Sequence, residues 1–384
     1  MNRICRHFKY CGGCLFQDIP YSEQLRKKEK EIKKMIDFFS LKTELKPINH
    51  FSPWFYRNKM EFTFSPDKEK KLILGLHRKD KKRKVFDLEE CLIFSEITKE
   101  LLEVVKEFLK DKYPAYDKFN HTGFLRHLIV REAKFNKELM IGLVTTSSFT
   151  LDKQGFLNAL RSLSFKEKIK SVFWIINNRV ADAVIFEKKE LLWGNPFITE
   201  KIDSFNFCIF IDTFFQTNSF GINTLYKKIE EYANLTGEEF IWDLYCGVGS
   251  IGIFLAKKAK FVWGVELEEK SVETAILNAQ INNISNISFI CADVKKFLAQ
   301  NEVPSPHIII INPPRCGLSK KIKRRLINLK APLIFYSSCN PYTFFVDLKD
   351  LSLIYDIKFI ELFDFFPHTP HLECLAYLRL KERR

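Results

Sequence analysis

Phe240-Ile241-Trp242-Asp243-Leu244-Tyr245-Cys246-Gly247-Val248-Gly249-Ser250-Ile251-Gly252 is the stretch that sets the architecture. Its apolar start suits a buried strand, and the glycines after it allow a tight turn into a helix from Gly249 to Lys257. Strand and helix then alternate. Strands are expected at Phe261 to Glu266, Ile287 to Cys291, His307 to Asn312 and the run beginning at Leu333, with helices between them and one at about 268 to 282. This pattern predicts an α/β fold built on a doubly wound, Rossmann-like parallel sheet. The last segments, Lys358 to Phe363 and Cys374 to Leu380, are joined by a connection too short for a crossover helix, so the final strand must run antiparallel.

In such sheets ligands bind beyond the carboxyl ends of the parallel strands. Those ends carry Tyr245-Cys246-Gly247, Glu266, Asp293, Asn312-Pro313-Pro314 and Cys339. The antiparallel last strand starts at the same edge, so its first residues, His371-Leu372-Glu373, are delivered to the same mouth. Cys339 lies in Tyr336-Ser337-Ser338-Cys339-Asn340-Pro341, where a strand ends in small polar residues and a proline stops it. That layout exposes a thiol, and Cys339 is read as a nucleophile rather than a small buried hydrophobe. Gly247, Gly249 and Gly252 form G-x-G-x-x-G, with Glu266 roughly twenty residues on, a pattern shared by nicotinamide and S-adenosylmethionine sites. The Asn312-Pro313-Pro314-Arg315 turn favours the methyl donor.

The N-terminal half reads differently. Cys5, Cys11 and Cys14 give C-x5-C-G-G-C, and Cys91 is the candidate fourth ligand. Glycines between the last two thiols allow a tight fold and offer amides to sulfur, so the spacing fits an iron–sulfur cluster, with a structural zinc equally open. An amphipathic helix is expected over residues 21 to 46, its charged face solvated. Hairpin strands follow at Phe55 to Phe64 and Leu72 to Arg78, then a basic run from Lys79 to Lys84. Aromatics interleaved with lysine and arginine suit stacking on unpaired bases. Further strands are expected at Phe124 to Arg131, Leu139 to Val144, Ser171 to Ile176 and Leu191 to Gly194, with helices over 99 to 112 and 153 to 163. The expected domains are 1–205, an α+β iron–sulfur and RNA-binding region whose helix 21–46 can pack on the other domain, and 206–384, the catalytic half.

Composition narrows the class. With 46% hydrophobic and 28% charged residues the chain is globular rather than disordered, and a net charge of +14 points to a polyanionic partner. The N-terminus lacks a signal-peptide pattern and no window has the length of a membrane span, so a cytoplasmic protein with no membrane partner is expected. Ten cysteines in a reducing compartment argue for metal binding and catalysis before disulfides.

Taken together, Asp243 to Gly249, Asn312 to Arg315, Tyr336 to Asn340 and Phe366-Pro367-His368-Thr369-Pro370-His371-Leu372-Glu373 resemble the RNA uracil-5-methyltransferase family. Phe214-Phe215-Gln216-Thr217-Asn218 and the cysteines Cys5, Cys11, Cys14 and Cys91 are similar to those of its ribosomal-RNA branch, which carries a 4Fe-4S cluster. No β-barrel RNA-binding module is expected before Cys5, where one branch has it, and this favours the short branch acting on 23S rRNA. Tyr245 stands where phenylalanine is common. The resemblance implies that Gln216, Tyr245, Gly247, Glu266 and Asn312 bind S-adenosylmethionine, with Asp293 beside the adenine. It implies Cys339 as nucleophile, Glu373 as base, and 23S rRNA, as a loop or unfolded segment, as partner of a monomer.

The chemistry asks for the same groups. Carbon 5 of uracil is a weak nucleophile until a thiolate adds at carbon 6, and a base must later remove the carbon 5 proton. The base must be everted to react, and Phe365, Phe366 and Phe215 are candidate walls of its pocket. Two rivals are a nicotinamide oxidoreductase and a non-catalytic, metal-stapled RNA-binding protein.

Overall fold

The computed structural model describes residues 4–67, 69, 71–81, 84–180, 185–300 and 303–382. Met1 to Arg3 and, within the expected basic run, Lys82 and Arg83 lie outside them. The chain divides into two compact units. One holds Met1–Pro20, Ser52–Lys201 and Ile209–Asp212, and the other Tyr21–Phe51, Ile202–Cys208 and Thr213–Arg384. A single cut at residue 205 therefore does not describe the division.

The first unit is built on a seven-stranded sheet in the order Val85–Asp87, Leu72–His77, Lys59–Pro66, Leu125–Glu132, Leu139–Thr145, Ile169–Ile176, Lys188–Gly194. Neighbours are antiparallel except Leu139–Thr145 with Ile169–Ile176. That parallel pair needs a crossover, and the helix Lys153–Arg161 supplies it. The helix expected at 99 to 112 spans Thr98–Leu109.

The second unit carries an eight-stranded sheet, ordered Glu44–Leu45, Tyr355–Phe363, Glu373–Leu380, Leu333–Ser338, Ile308–Ile311, Phe240–Leu244, Phe261–Glu266, Ile287–Cys291. Every pairing is parallel except the two made by Glu373–Leu380. Strand order reverses beside Phe240–Leu244, which pairs with Phe261–Glu266 on one side and Ile308–Ile311 on the other. This reversal is the switch point at which a ligand crevice opens. The run Ile308–Ile311 is buried throughout, as a central parallel strand requires.

The expected helix over 21 to 46 is corrected. It spans Tyr21–Phe38 and belongs to the second unit. Ser40 takes a left-handed φ of 51°, and the Leu41 amide closes the end by donating to the Ile36 carbonyl at 3.0 Å. Glu44–Leu45 then adds a short parallel edge strand beside Tyr355–Phe363. Among the described residues no helix is long and apolar enough to cross a membrane.

Candidate active site

The turn after Phe240–Leu244 is strained in the way a close backbone approach requires. Tyr245, Gly247 and Gly249 have φ of 62°, 53° and 78°. A side chain at Gly249 would bring its Cβ within 2.7 Å of the Phe289 ring, whereas one at Gly247 would meet nothing within 4 Å. Gly249 thus fits the helix against its sheet, and Gly247 faces open space. Both carboxylate oxygens of Glu266 accept backbone amides, Oε2 from Gly247 at 3.1 Å and Oε1 from Leu267 at 2.7 Å and Glu268 at 3.1 Å. The amides fix where this carboxylate points.

Asp243 is fully buried and accepts from the Gly252 amide at 3.0 Å. Burial pushes its carboxyl up to about 8, offset by that amide and reinforced by Glu266. Sequence reading quoted Asp243 without giving it a role. Tyr245 is half-buried, and burial, with the nearby charge of Asp293, pushes its phenol up to about 12. Asp293 caps the helix Val294–Gln300, its Oδ1 accepting from the Lys296 amide at 3.1 Å. Asn312 follows its strand and donates its amide to the Leu244 carbonyl at 3.4 Å. Gln216 precedes the helix Ser219–Ala233. Asn218 caps that helix through the Gly221 amide at 3.2 Å and donates its side-chain amide to the Phe365 carbonyl at 3.1 Å.

Cys339 sits half-buried at a strand-to-helix junction. Asn340 caps the helix Pro341–Leu351, with Pro341 in its first turn, so this proline begins a helix as well as ending a strand. Ser338 pairs with Cys374 at the last step of the antiparallel ladder; Cys339 follows directly after its strand, and Glu373 opens the partner strand. The Glu373 charge reaches the Cys339 thiol, so both groups lie at this end of the ladder. Ser337, on the ladder itself, donates through its Oγ to Glu373 Oε1 at 2.5 Å. Burial pushes Glu373 up to about 7, with the Ser337 bond opposing. Burial also raises the Cys339 thiol, and the Glu373 charge adds to this. A hydrogen bond from Arg315 acts in the opposite direction. Arg315 is tethered through its carbonyl, which accepts from Asn340 Nδ2 at 2.8 Å and Thr343 Oγ1 at 3.2 Å.

A buried polar lock holds the loop that leads into Glu373. Lys28 Nζ donates to Asp364 Oδ1 at 2.6 Å and to the Phe366 carbonyl at 3.1 Å, and the Tyr21 hydroxyl donates to Asp364 Oδ2 at 2.9 Å. The His368 amide donates to Gln24 Oε1 at 3.0 Å, and Gln24 Nε2 lies 3.1 Å from His368 Nδ1. Sequence reading treated Lys28 as part of a solvated face and missed this lock. It also placed His371 on the strand with Glu373, but the strand begins at Glu373 and His371 is exposed ahead of it. Among the candidate walls, Phe365 is core, packed against Phe51 and Gly221, and Phe215 is buried. Phe366 stays half-buried, edge-on to His371.

Gln216 aside, the predicted cofactor and catalytic residues all occupy the carboxyl edge of one sheet. The four candidate metal thiols lie in the other unit, all buried. Burial pushes Cys14 and Cys91 up to about 12, and the neighbouring thiols contribute. Backbone amides of His7 and Gly13 donate to the sulfurs of Cys5 and Cys11 at 3.4 Å. Among the described residues no group of three or more His, Cys, Asp or Glu is gathered at ion-holding geometry.

Comparison with known proteins places the chain in a family. A family profile described as tRNA (Uracil-5-)-methyltransferase matches residues 20–381. An uncharacterized RNA methyltransferase of Caldanaerobacter subterraneus subsp. tengcongensis is 38% identical over 97% of this chain and 84% of its own length. The tRNA (uracil(54)-C(5))-methyltransferase of Pyrococcus abyssi is 33% identical over 97% of this chain and 85% of its own length. The crystal structure of the Pyrococcus abyssi tRNA (uracil-54, C5)-methyltransferase with S-adenosyl-L-homocysteine superposes with a TM-score of 0.80 at 32% identity, covering 96% of this chain and 86% of that one. The chain belongs to the RNA uracil-5-methyltransferase family of enzymes.

Proposed function

We propose that this protein methylates carbon 5 of a uridine in 23S rRNA, acting in the cytoplasm as a monomer. The observation that carries the chemistry is that Cys339, just after one strand, and Glu373, at the start of its antiparallel neighbour, lie at the same end of one ladder, close enough for the carboxylate charge to act on the thiol. Bound S-adenosylmethionine supplies the methyl group. The open space at Gly247, beside the oriented Glu266 carboxylate, fits such a ligand, and Gln216, Tyr245, Asn312 and Asp293 would complete its site. Cys339 Sγ adds to carbon 6 of the uracil, and the electron pair displaced from the ring double bond makes carbon 5 the nucleophile that is methylated. Glu373 then takes the proton from carbon 5. The electrons of that C–H bond restore the double bond, the C6–S bond breaks and the Cys339 thiolate is released. A carboxyl near 7 suits a base that must later give up its proton at neutral pH.

The target rests on the resemblance of the N-terminal cysteines to the ribosomal-RNA branch. Cys5, Cys11, Cys14 and Cys91 would hold a 4Fe-4S cluster, whose bonds would join the first residues of the chain to the segment around Cys91. Burial, mutual electrostatic influence and amide donors to sulfur support that donor set, which zinc could also use. The likeness to a tRNA uracil-54 enzyme favours a second target, tRNA. Mass mapping of 5-methyluridine in 23S rRNA and tRNA from cells with and without the protein separates them. A mark lost from 23S rRNA alone is expected, and one lost from tRNA alone overturns the target.

A further inference from the structure

Two carboxylate oxygens that differ in their partners stand at the centre of the reaction. Glu373 Oε1 receives the Ser337 hydroxyl at 2.5 Å, while Oε2 is buried with no hydrogen-bond partner among the described residues. Ser337 and Glu373 are 2% and 1% exposed, so bulk water cannot replace that donor. The placement follows from the ladder. Ser337 pairs with Leu375, two positions from Glu373, so its side chain reaches Glu373 diagonally across the ladder.

We propose that Ser337 is a positioning residue for proton removal: its hydroxyl pins Oε1 of Glu373, fixes the carboxylate plane and leaves Oε2 as the atom that takes the carbon 5 proton. This rests on the reading of Glu373 as the base. The proton passes to Oε2, the C–H electrons re-form the ring double bond, and the C6–S bond breaks to return the thiolate. Ser337 itself exchanges no proton with the substrate.

The other ionisable groups near Glu373 do not duplicate this role. The Cys339 and Cys374 thiols and the phenol of Tyr226, from the helix Ser219–Ala233, are pushed up chiefly by burial, with the Glu373 charge adding to it. Arg315 bonds to Cys339, and His371 is exposed two residues earlier on the same segment. Burial raises Glu373 and the Ser337 bond is the one influence opposing it. A lost hydrogen bond to a charged group is worth at least about tenfold in an equilibrium constant, so without Ser337 the Glu373 ionisation should move up by about one pH unit.

The test compares full-length wild type, Ser337→Ala, Ser337→Thr and Ser337→Cys in single turnovers on substrate RNA from pH 6 to pH 9, following both methyl transfer and release of the covalent adduct. In Ser337→Ala methyl transfer should persist while adduct release slows about fivefold at pH 7 and recovers near pH 9, as expected for a base ionising about one unit higher. Ser337→Thr should restore the wild-type profile. Ser337→Cys, close in size with a weak S–H donor, should shift the same way by less. An unshifted profile in Ser337→Ala, or slowing by the same factor at every pH, overturns the proposal. If Ser337→Ala loses S-adenosylmethionine binding and hence its fold, an unshifted Ser337→Cys overturns it alone. Failure of the underlying reading is distinct: it would appear as normal adduct release by Glu373→Gln, whatever the Ser337 variants do.

Discussion

Replacing Lys28 by Met removes a buried charge while keeping the length of its stem. The Lys28 and Asp364 side chains are 3% and 0% exposed, so solvent screening does not soften their interaction. Burial lowers the Lys28 pKa and Asp364 opposes that shift, which marks the ammonium as desolvated and dependent on its partner. In the Lys28→Met variant Asp364 would keep, among the described residues, the Tyr21 hydroxyl as its side-chain donor, and the Phe366 carbonyl would lose the Lys28 donor. Breaking a buried pair by deleting one partner costs about 3–5 kcal/mol. For a unit of about 200 residues, at about 2–4 °C per kcal/mol, that is a drop in Tm of roughly 10 °C. The assay is calorimetry of the full chain, with Lys28→Met, Asp364→Asn and the double variant forming a cycle. The double variant, left without a buried charge, should recover most of the loss. A Lys28→Met protein within about 1 kcal/mol of wild type, or a double variant no better than Lys28→Met, would refute the reasoning.

Glu373→Gln should methylate the uridine and then remain joined to it through denaturing electrophoresis, while Cys339→Ala should bind RNA and yield neither adduct nor product; trapped RNA without a transferred methyl would reverse the order of steps. Gly249→Ala would bring its Cβ within 2.7 Å of the Phe289 ring at a left-handed φ, so S-adenosylmethionine affinity by calorimetry should fall at least about tenfold, and an unchanged affinity would show that the turn relaxes. Anaerobically purified protein should be brown, with broad absorbance near roughly 400 nm lost in Cys14→Ser, whereas colourless protein with stoichiometric zinc would exclude the cluster. RNA affinity should fall linearly on a log–log plot as salt rises, and a loop should be preferred to the same sequence in a duplex.

The sheet and its candidate active edge were legible because alternation of strand and helix constrains topology, and topology fixes which residue ends lie together. Cys339 and Glu373 could be assigned to one mouth without a distance. Side-chain pairing was not legible in the same way. Lys28 looks like one more lysine of a charged helix, and only a carboxylate 336 positions away reveals it as buried. Ser337 reads as a small strand residue until register places it diagonal to Glu373. The helix end at Ser40 was missed because no glycine marks its left-handed turn. His371 was placed on the wrong element because strand starts are set by ladder bonds, not by alternation alone.

The coupling between thiol and carboxylate also gives the two ionisations an order. Burial and then the Glu373 charge raise the Cys339 thiol, so the ionised carboxylate opposes the thiolate that, in the proposed mechanism, attacks first. Burial raises this carboxyl to about 7, which brings its protonated form within reach at neutral pH, and in that form the Arg315 bond meets less opposition in favouring the thiolate. After attack the sulfur is a neutral thioether. No thiolate then stands near Glu373, and its ionisation to the base form no longer sets two negative charges close together. In the proposed mechanism, burial of Glu373 would thus serve both halves of the cycle. It would let the carboxyl stay neutral while the thiol must be charged, and it would leave a base strong enough to take a carbon-bound proton once the sulfur has given up its charge.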